Sequence, residues 1–115
     1  MKAQDLRIYN TVLCRGAVSV VTSIDQLHIG YLKSNSKGEK RIELRLVKPI
    51  RLTEEWLTTF EFVKEGNLFT HWKFDCSLYE TPNGFESEQL PFAIYLKYVH
   101  EFQNLYYAFS KDELI

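Results

Sequence analysis

The sequence predicts a single α+β domain over residues 1–115: a small SH3-like β-barrel or curved sheet, a short capped helix, an antiparallel meander and a C-terminal amphipathic helix packed on the sheet. Three observations support this fold class. Short alternating apolar stretches fill residues 6–50, a capping signal follows at Thr53, and an apolar stripe of helical period begins at Tyr98. A chain of 115 residues can bury about two-thirds of the surface that it exposes when unfolded.

The first half of the chain contains four or five short stretches with the period of two that is typical of half-buried strands. The predicted strands cover residues 8–13, 18–24, 27–31 and 41–46. Turn residues such as Arg15-Gly16 separate them, and Pro49 ends the last one because proline cannot donate a hydrogen bond to a central ladder. So many short strands in about 45 residues favour a compact barrel or a strongly curved sheet.

A helix is predicted to begin directly after Thr53, whose hydroxyl can accept a hydrogen bond from a free amide of the first turn. Glu54 and Glu55 follow at the positive end of the helix dipole. Leu52 and Leu57 occupy the two positions of a hydrophobic staple. The apolar pattern predicts a short helix that ends near residue 60.

The period of two returns after this helix and predicts a meander of three or four strands. The predicted strands cover residues 62–63, 68–74, 76–79 and 90–96. Within the second of them, Leu68, Trp72 and Phe74 are expected to share one face. The polar and acidic stretch 85–89 is predicted to be an exposed return between strands.

The last helix is predicted over residues 98–109 from an apolar stripe about 120° wide. The stripe consists of Tyr98, Val99, Phe102, Leu105, Tyr106 and Phe109. Each large side chain that the stripe buries contributes about 1.5–3 kcal/mol to folding. The other face carries His100, Gln103, Asn104 and Tyr107. Core packing does not explain these four side chains, so this polar face either bonds to a neighbouring loop or binds a partner.

Charge divides the chain into a basic β half, residues 1–51, and an acidic helix-meander-helix half, residues 52–115. The first half has ten Lys and Arg against four Asp and Glu, and the second has four against eleven. A candidate basic surface for nucleic acid or a partner consists of Lys33, Lys37, Lys40, Arg41 and Arg45. The alternative is a solvated loop and a polar sheet face.

No pattern of catalytic, metal-binding or cofactor-binding residues is present, so the sequence predicts a protein that is not an enzyme and needs no metal or cofactor. The three histidines are scattered along the chain, and Cys14 and Cys76 form no metal-ligand motif. We expect both cysteines to be buried and reduced, with a single disulfide as the alternative. A start without an apolar run and the lack of a membrane-spanning stretch predict a cytoplasmic location and no membrane partner.

Three segments resemble a family of short proteins encoded by phages, prophages and mobile elements of Bacteroidota-type bacteria. The segments are Asp5-Leu-Arg-Ile8, Pro49-Ile-Arg-Leu-Thr-Glu-Glu-Trp-Leu57 and Lys97-Tyr-Val-His-Glu-Phe-Gln-Asn-Leu-Tyr-Tyr-Ala-Phe109. Family members tend to have Gly-Asn where this chain has Tyr9-Asn10, and glycine where it has Glu61. Because a glycine suits a left-handed C-cap, the chain is expected to leave the middle helix differently here.

The resemblance brings no established activity, and it implies a small accessory protein of phage or mobile-element type. The leading hypothesis is a non-enzymatic interaction protein that binds and inhibits a host protein or ribonucleoprotein, for example a CRISPR or other defence effector. A first alternative is a nucleic-acid-binding module that uses residues 33–51. A second alternative is a structural virion component. The sequence leaves the oligomeric state open.

Overall fold

The computed structural model describes residues 1–33, 38–73, 77–87 and 95–112. It confirms the α+β class, with two antiparallel sheets and one main helix near the C-terminus. The apolar residues of each sheet form a separate core cluster. The division of the chain into one domain stays a prediction.

The N-terminal sheet has four strands in sequential order: β1 (Thr11–Cys14), β2 (Ala17–Ile24), β3 (His28–Lys33) and β4 (Lys40–Glu43). It curves so far that the chain beyond β4 returns to the free edge of β1. There, Leu13 N donates to Lys48 O at 2.8 Å, and Lys48 N donates to Leu13 O at 3.0 Å. The sheet is not closed into a barrel, so the curved sheet is the correct one of the two predicted forms.

The last strand of this sheet is shorter than the sequence predicts. After β4 the chain forms a 3₁₀ helix over Leu44–Leu46, where the prediction continued the strand to residue 46. The backbone N–H of Leu44 donates to Leu27 O at 2.8 Å. Because a 3₁₀ helix repeats every three residues, Leu44 is buried while Leu46 is exposed.

Helix α1 (Glu54–Thr59) begins as predicted, because Trp56 N donates to Thr53 Oγ1 at 3.3 Å. Leu52 and Leu57 are both buried, as expected of a hydrophobic staple. The helix ends in a Schellman motif: Glu61 N donates to Thr58 O, and Phe62 N donates to Leu57 O, each at 3.0 Å.

Glu61 adopts the left-handed conformation that a glycine would adopt at this C-cap, with φ = 70°. The expectation that the chain leaves this helix differently without a glycine was therefore wrong. Tyr9 occupies the other position at which the sequence differs from the glycine of the phage and mobile-element proteins that it resembles, and it also has a positive φ, 78°. At both positions the backbone is strained, because the left-handed conformation costs about 1–2 kcal/mol for a residue that has a Cβ.

We expect Glu61→Gly to be more stable than Glu61→Ala by about 1 kcal/mol, because only alanine keeps the left-handed strain. Both variants lose the same side-chain contacts, so the comparison isolates the backbone. Urea denaturation of the two variants measures the difference. The same pair at Thr58, inside α1, is the control and should show the opposite order, since glycine weakens a helix interior. Alanine as the more stable residue at position 61 would contradict the expectation.

The C-terminal sheet has five strands, where the sequence predicts three or four. In sequential order they are β5 (Val63–Glu65), β6 (Leu68–Thr70), β7 (Leu78–Thr81), β8 (Gly84–Ser87) and β9 (Tyr95–Leu96). The additional strand is β8, which was predicted as part of an exposed return, and its Phe85 is buried in the core. Gly84 starts this strand at φ = 126°, where an added Cβ would lie 2.8 Å from Leu96 O.

Trp72 is 78% exposed and lies beyond β6, which ends at Thr70, so the predicted strand over residues 68–74 is longer than the observed one. Beyond a strand end the period of two no longer applies, and the sheet therefore does not place Leu68 and Trp72 on a common face. Phe69 is the residue of β6 that enters the core. The predicted strand residues 74, 76 and 90–94 lie outside the described part of the chain.

Helix α2 (Val99–Ser110) lies where the sequence predicts it and covers the C-terminal sheet. Val99, Phe102 and Tyr106 are buried in the core cluster of that sheet. Glu101 closes a capping box, since its Oε1 accepts hydrogen bonds from the backbone N–H groups of residues 97 and 98, each at 3.0 Å. The apolar stripe ends early, because Phe109 is 55% exposed.

Candidate functional site

The polar face of α2 contacts the first residues of β1. Gln103 is 1% exposed and forms two hydrogen bonds with Thr11. Its Oε1 accepts from Thr11 N at 2.7 Å, and its Nε2 donates to Thr11 Oγ1 at 2.9 Å. One side chain of α2 thus satisfies a backbone donor and a hydroxyl of the N-terminal sheet at a buried position.

Asn104, the next residue of α2, adds further hydrogen bonds to this contact. Its Oδ1 accepts from Asn10 Nδ2 at 2.8 Å, and its Nδ2 donates to Asp5 O at 3.3 Å. Asn10 is held in turn by Arg7, whose backbone N donates to Asn10 Oδ1 at 2.7 Å. Asn10, Thr11, Gln103 and Asn104 together are called the polar interface below.

Tyr107 completes the polar face of α2 and also contacts the N-terminal half. The guanidinium carbon of Arg7 lies 3.7 Å from the centre of the Tyr107 ring, which is a cation–π contact. The structure thus brings Gln103, Asn104 and Tyr107 against residues 5–11. Their use by a partner stays a prediction, and Gln103 already has both polar groups engaged within the chain.

His100 lies on the same face and is only 6% exposed. Within the described part of the chain its Nδ1 is buried without a hydrogen-bond partner. Burial lowers the pKa of His100, and the nearby carboxylates of Glu101 and Asp5 oppose this effect only in part. Its ring stacks on Tyr98 with 6.0 Å between the ring centres and 12° between the planes. Burial thus favours the neutral form of this imidazole, which packs against Tyr98.

An open cleft of about 490 Å³ lies beside His100, between α2 and the N-terminal residues. Residues from both halves of the chain line it: Met1, Gln4, Asp5, Pro49, Tyr98, His100, Glu101 and Asn104. The lining combines two carboxylates, two side-chain amides and two aromatic rings. Such a mixture of a few polar groups and ring surfaces is typical of sites for small polar molecules.

The predicted basic surface is partly neutralised by neighbouring carboxylates. Arg41 Nη2 lies 2.7 Å from Asp25 Oδ2, and Arg45 Nε lies 2.6 Å from Glu43 Oε2. The pKa of Asp25 is lowered mainly by hydrogen bonds from the backbone N–H groups of residues 27 and 28, with a smaller effect of Arg41. Lys33 and Lys40 are exposed, and Lys37 lies outside the described residues. Nucleic-acid binding by these residues stays a prediction.

The outer face of the N-terminal sheet carries an apolar patch, which consists of Leu13, Val18, Val20 and Leu32. Leu13 pairs with Val18, and Val20 pairs with Leu32, so cross-strand neighbours place all four side chains on one face of β1, β2 and β3. Val18 is 40% exposed and Leu32 is 38% exposed. Sequence reasoning missed this patch, although β2 gives the signal: its valines alternate onto both faces instead of one.

One basic residue, Arg15, lies at one end of the apolar patch, in the turn between β1 and β2. Lys33 pairs with Ser19, and Lys40 pairs with Tyr31. Because Ser19 and Tyr31 are buried on the inner side of the sheet, the register places Lys33 and Lys40 on the face opposite the patch. All three basic residues are exposed. The patch therefore has an apolar centre, with the positive charge of Arg15 at one end.

The described residues include potential metal ligands and the thiol of Cys14. Among them, no three His, Cys, Asp or Glu side chains are arranged to hold a metal ion. Cys14 is a free, buried thiol, and burial raises its pKa more than Ser19 and Arg15 lower it. Since the thiolate is the nucleophile, this environment disfavours the reactive form of Cys14.

Comparison of the chain with protein-family models, with curated proteins and with solved structures gives no match. Among the residues that the structure describes, none of the helices has the length and the apolar character needed to cross a lipid bilayer. The function is therefore inferred from the surfaces of the molecule, above all from the apolar patch and from the cleft beside His100.

Proposed function

We propose that this protein is a non-enzymatic interaction protein of phage or mobile-element type that binds and inhibits a host protein or ribonucleoprotein. The observation that carries the proposal is the apolar patch on the outer face of the N-terminal sheet. An antiparallel sheet with one solvated face normally has polar residues there, whereas this sheet places Val18 and Leu32 in contact with solvent. Contiguous apolar residues on a surface favour a binding site over a solvated face.

A positive charge at the edge of the apolar patch favours a partner with an acidic rim. Arg15 lies in the turn at one end of the patch, so it can meet a carboxylate at the edge of an interface. Such a rim charge accelerates association and helps to orient the partner, while the apolar centre supplies affinity. A host defence effector is the partner that the resemblance to phage and mobile-element proteins suggests.

Direct nucleic-acid binding is the weaker proposal. Arg41 and Arg45 each have a carboxylate within 2.7 Å, so their charges are partly compensated before any phosphate arrives. An apolar patch also contributes little to contacts with a phosphate backbone, which depend on Lys and Arg. A structural role in a virion uses the same patch against another virion protein, and the identity of the captured protein distinguishes this case.

Affinity capture from a host lysate, with mass spectrometry of the bound proteins, tests the proposal. We expect wild-type protein to retain a defined protein that survives nuclease treatment. Leu32→Glu should reduce its recovery at least about tenfold, because a charge in the centre of an apolar interface must be desolvated. Val63→Glu is the matched control, since Val63 is an exposed apolar residue of the other sheet, and it should retain the partner.

Circular dichroism melting of both variants shows whether they fold. The proposal is wrong if folded Leu32→Glu protein captures the same partner as well as wild type does. It is also wrong if the wild-type protein captures only nucleic acid, with a recovery that falls steeply as the salt concentration rises.

A further inference from the structure

We propose that the cleft beside His100 is a binding site for a guanidinium or ammonium group on a short apolar stem. The site does not depend on the proposed function, because it lies at the contact between α2 and the N-terminal residues and shares no residue with the apolar patch. Its volume of about 490 Å³ falls in the range of small-molecule sites.

The charges of the lining favour a cation. Asp5 and Glu101 contribute two carboxylates, whereas the positive charge among the described lining residues is that of the Met1 ammonium group, which donates to Leu44 O at 3.5 Å. Glu101 uses Oε1 to cap α2, but a carboxylate has two oxygens and several lone pairs, so it can accept further hydrogen bonds. Gln4 and Asn104 add side-chain amide groups at the same cleft.

His100 supplies a second, independent indication of a ligand. Its side chain lines the cleft and is 94% buried, and its Nδ1 has no hydrogen-bond partner within the described residues. A buried polar atom without a partner costs about 1–3 kcal/mol, and such exceptions in folded proteins often mark functional positions. A neutral imidazole, favoured here by burial, does not repel a cation.

The two rings of the lining favour a planar or compact cation. Tyr98 and His100 stack nearly parallel, with 12° between their planes. The face of an aromatic ring attracts guanidinium and ammonium groups, most strongly where solvent is partly excluded. Carboxylates that accept hydrogen bonds and ring faces that attract positive charge together specify an N–H-rich cation.

Titration with n-butylguanidinium, followed by NMR of the histidine ring protons, tests the site. We expect saturable shifts of the His100 signals, while those of His28 and His71 stay unchanged. n-Butylurea has the same shape without the charge and should bind at least about tenfold more weakly, since charge-assisted hydrogen bonds are the stronger ones. Equal binding of the two compounds would overturn the proposal, as would the absence of saturable binding.

Two variants locate the site. Asp5→Asn keeps the shape of the lining but removes one charge, and it should weaken n-butylguanidinium binding about threefold. Glu43→Gln is the matched control, because Glu43 lines a different cleft at the end of the N-terminal sheet, and it should leave binding unchanged. Equal weakening by both variants would assign the effect to the overall charge and contradict a specific site.

A free molecule and a side chain of another protein can both present this cation, and two further probes separate these sources. Stronger binding of agmatine supports a free small cation as the occupant. Stronger binding of an acetylated and amidated Gly-Arg-Gly peptide supports an arginine side chain of a partner. If neither probe shifts the His100 signals, the proposal is wrong for both sources.

Discussion

Replacing Phe102 by alanine is expected to lower the free energy of unfolding by about 3–5 kcal/mol. Phe102 is fully buried on α2, where it joins that helix to the C-terminal sheet and to the end of α1. Its ring centre lies 5.4 Å from that of Phe62 and 6.2 Å from that of Phe60. The truncated side chain leaves a cavity that these rings cannot fill without moving. The loss of stability therefore includes the cost of this cavity in addition to the lost free energy of burying the phenyl ring.

Urea denaturation monitored by circular dichroism measures this effect. Phe109→Ala on the same helix is the control, since Phe109 is mostly exposed and its truncation should change stability by less than about 0.5 kcal/mol. A typical domain of this kind has a total stability of about 5–15 kcal/mol, so Phe102→Ala removes a large share of it. Similar losses for the two variants would contradict the assignment of Phe102 to the core.

Gln103→Leu is expected to destabilise the protein by about 2–4 kcal/mol. The substitution leaves Thr11 N and Thr11 Oγ1 buried without the partners that Gln103 provides, and each unsatisfied group costs about 1–3 kcal/mol. Leucine is at least as good a helix former as glutamine, so the loss does not come from α2 itself. The apolar surface of leucine recovers part of the cost.

The same denaturation experiment measures this loss, and hydrogen exchange locates it. We expect the amide proton of Thr11 to exchange faster in the variant, because its hydrogen bond to the side chain of α2 is gone. Gln26→Leu makes the same chemical change at an exposed position and should be nearly neutral. Unchanged protection of Thr11 would show that Gln103 does not satisfy this amide in solution.

Local signals account for the elements that the sequence predicts well. The cap at Thr53 depends on residues three positions apart, and the stripe of α2 repeats within a dozen residues, so a short window contains the full pattern. The turns between the first strands are equally local. The same reasoning fails where an element ends, because Leu46 and Trp72 continue an apolar pattern beyond the last residue of their strands.

The candidate sites depend on contacts between residues far apart in the chain, which a local pattern does not contain. The sequence singles out the polar face of α2, but it does not show that Gln103 meets Thr11, 92 residues away. Asp5 and Glu101 line one cleft only because the N-terminal residues lie against α2. The apolar patch is also hidden in the sequence, since valines suit either face of a strand.

The polar interface has a consequence for the order in which the protein folds. Every strand pairs with its sequence neighbour, so the hairpins of both sheets require only short loop closures. The hydrogen bonds of the polar interface join residues 92–94 positions apart and therefore carry a larger loop-closure cost than the hairpins. We infer that both sheets assemble before the amides of Gln103 and Asn104 find their partners on β1. The cleft beside His100, formed by the same contact, is then the last feature of the molecule to take shape.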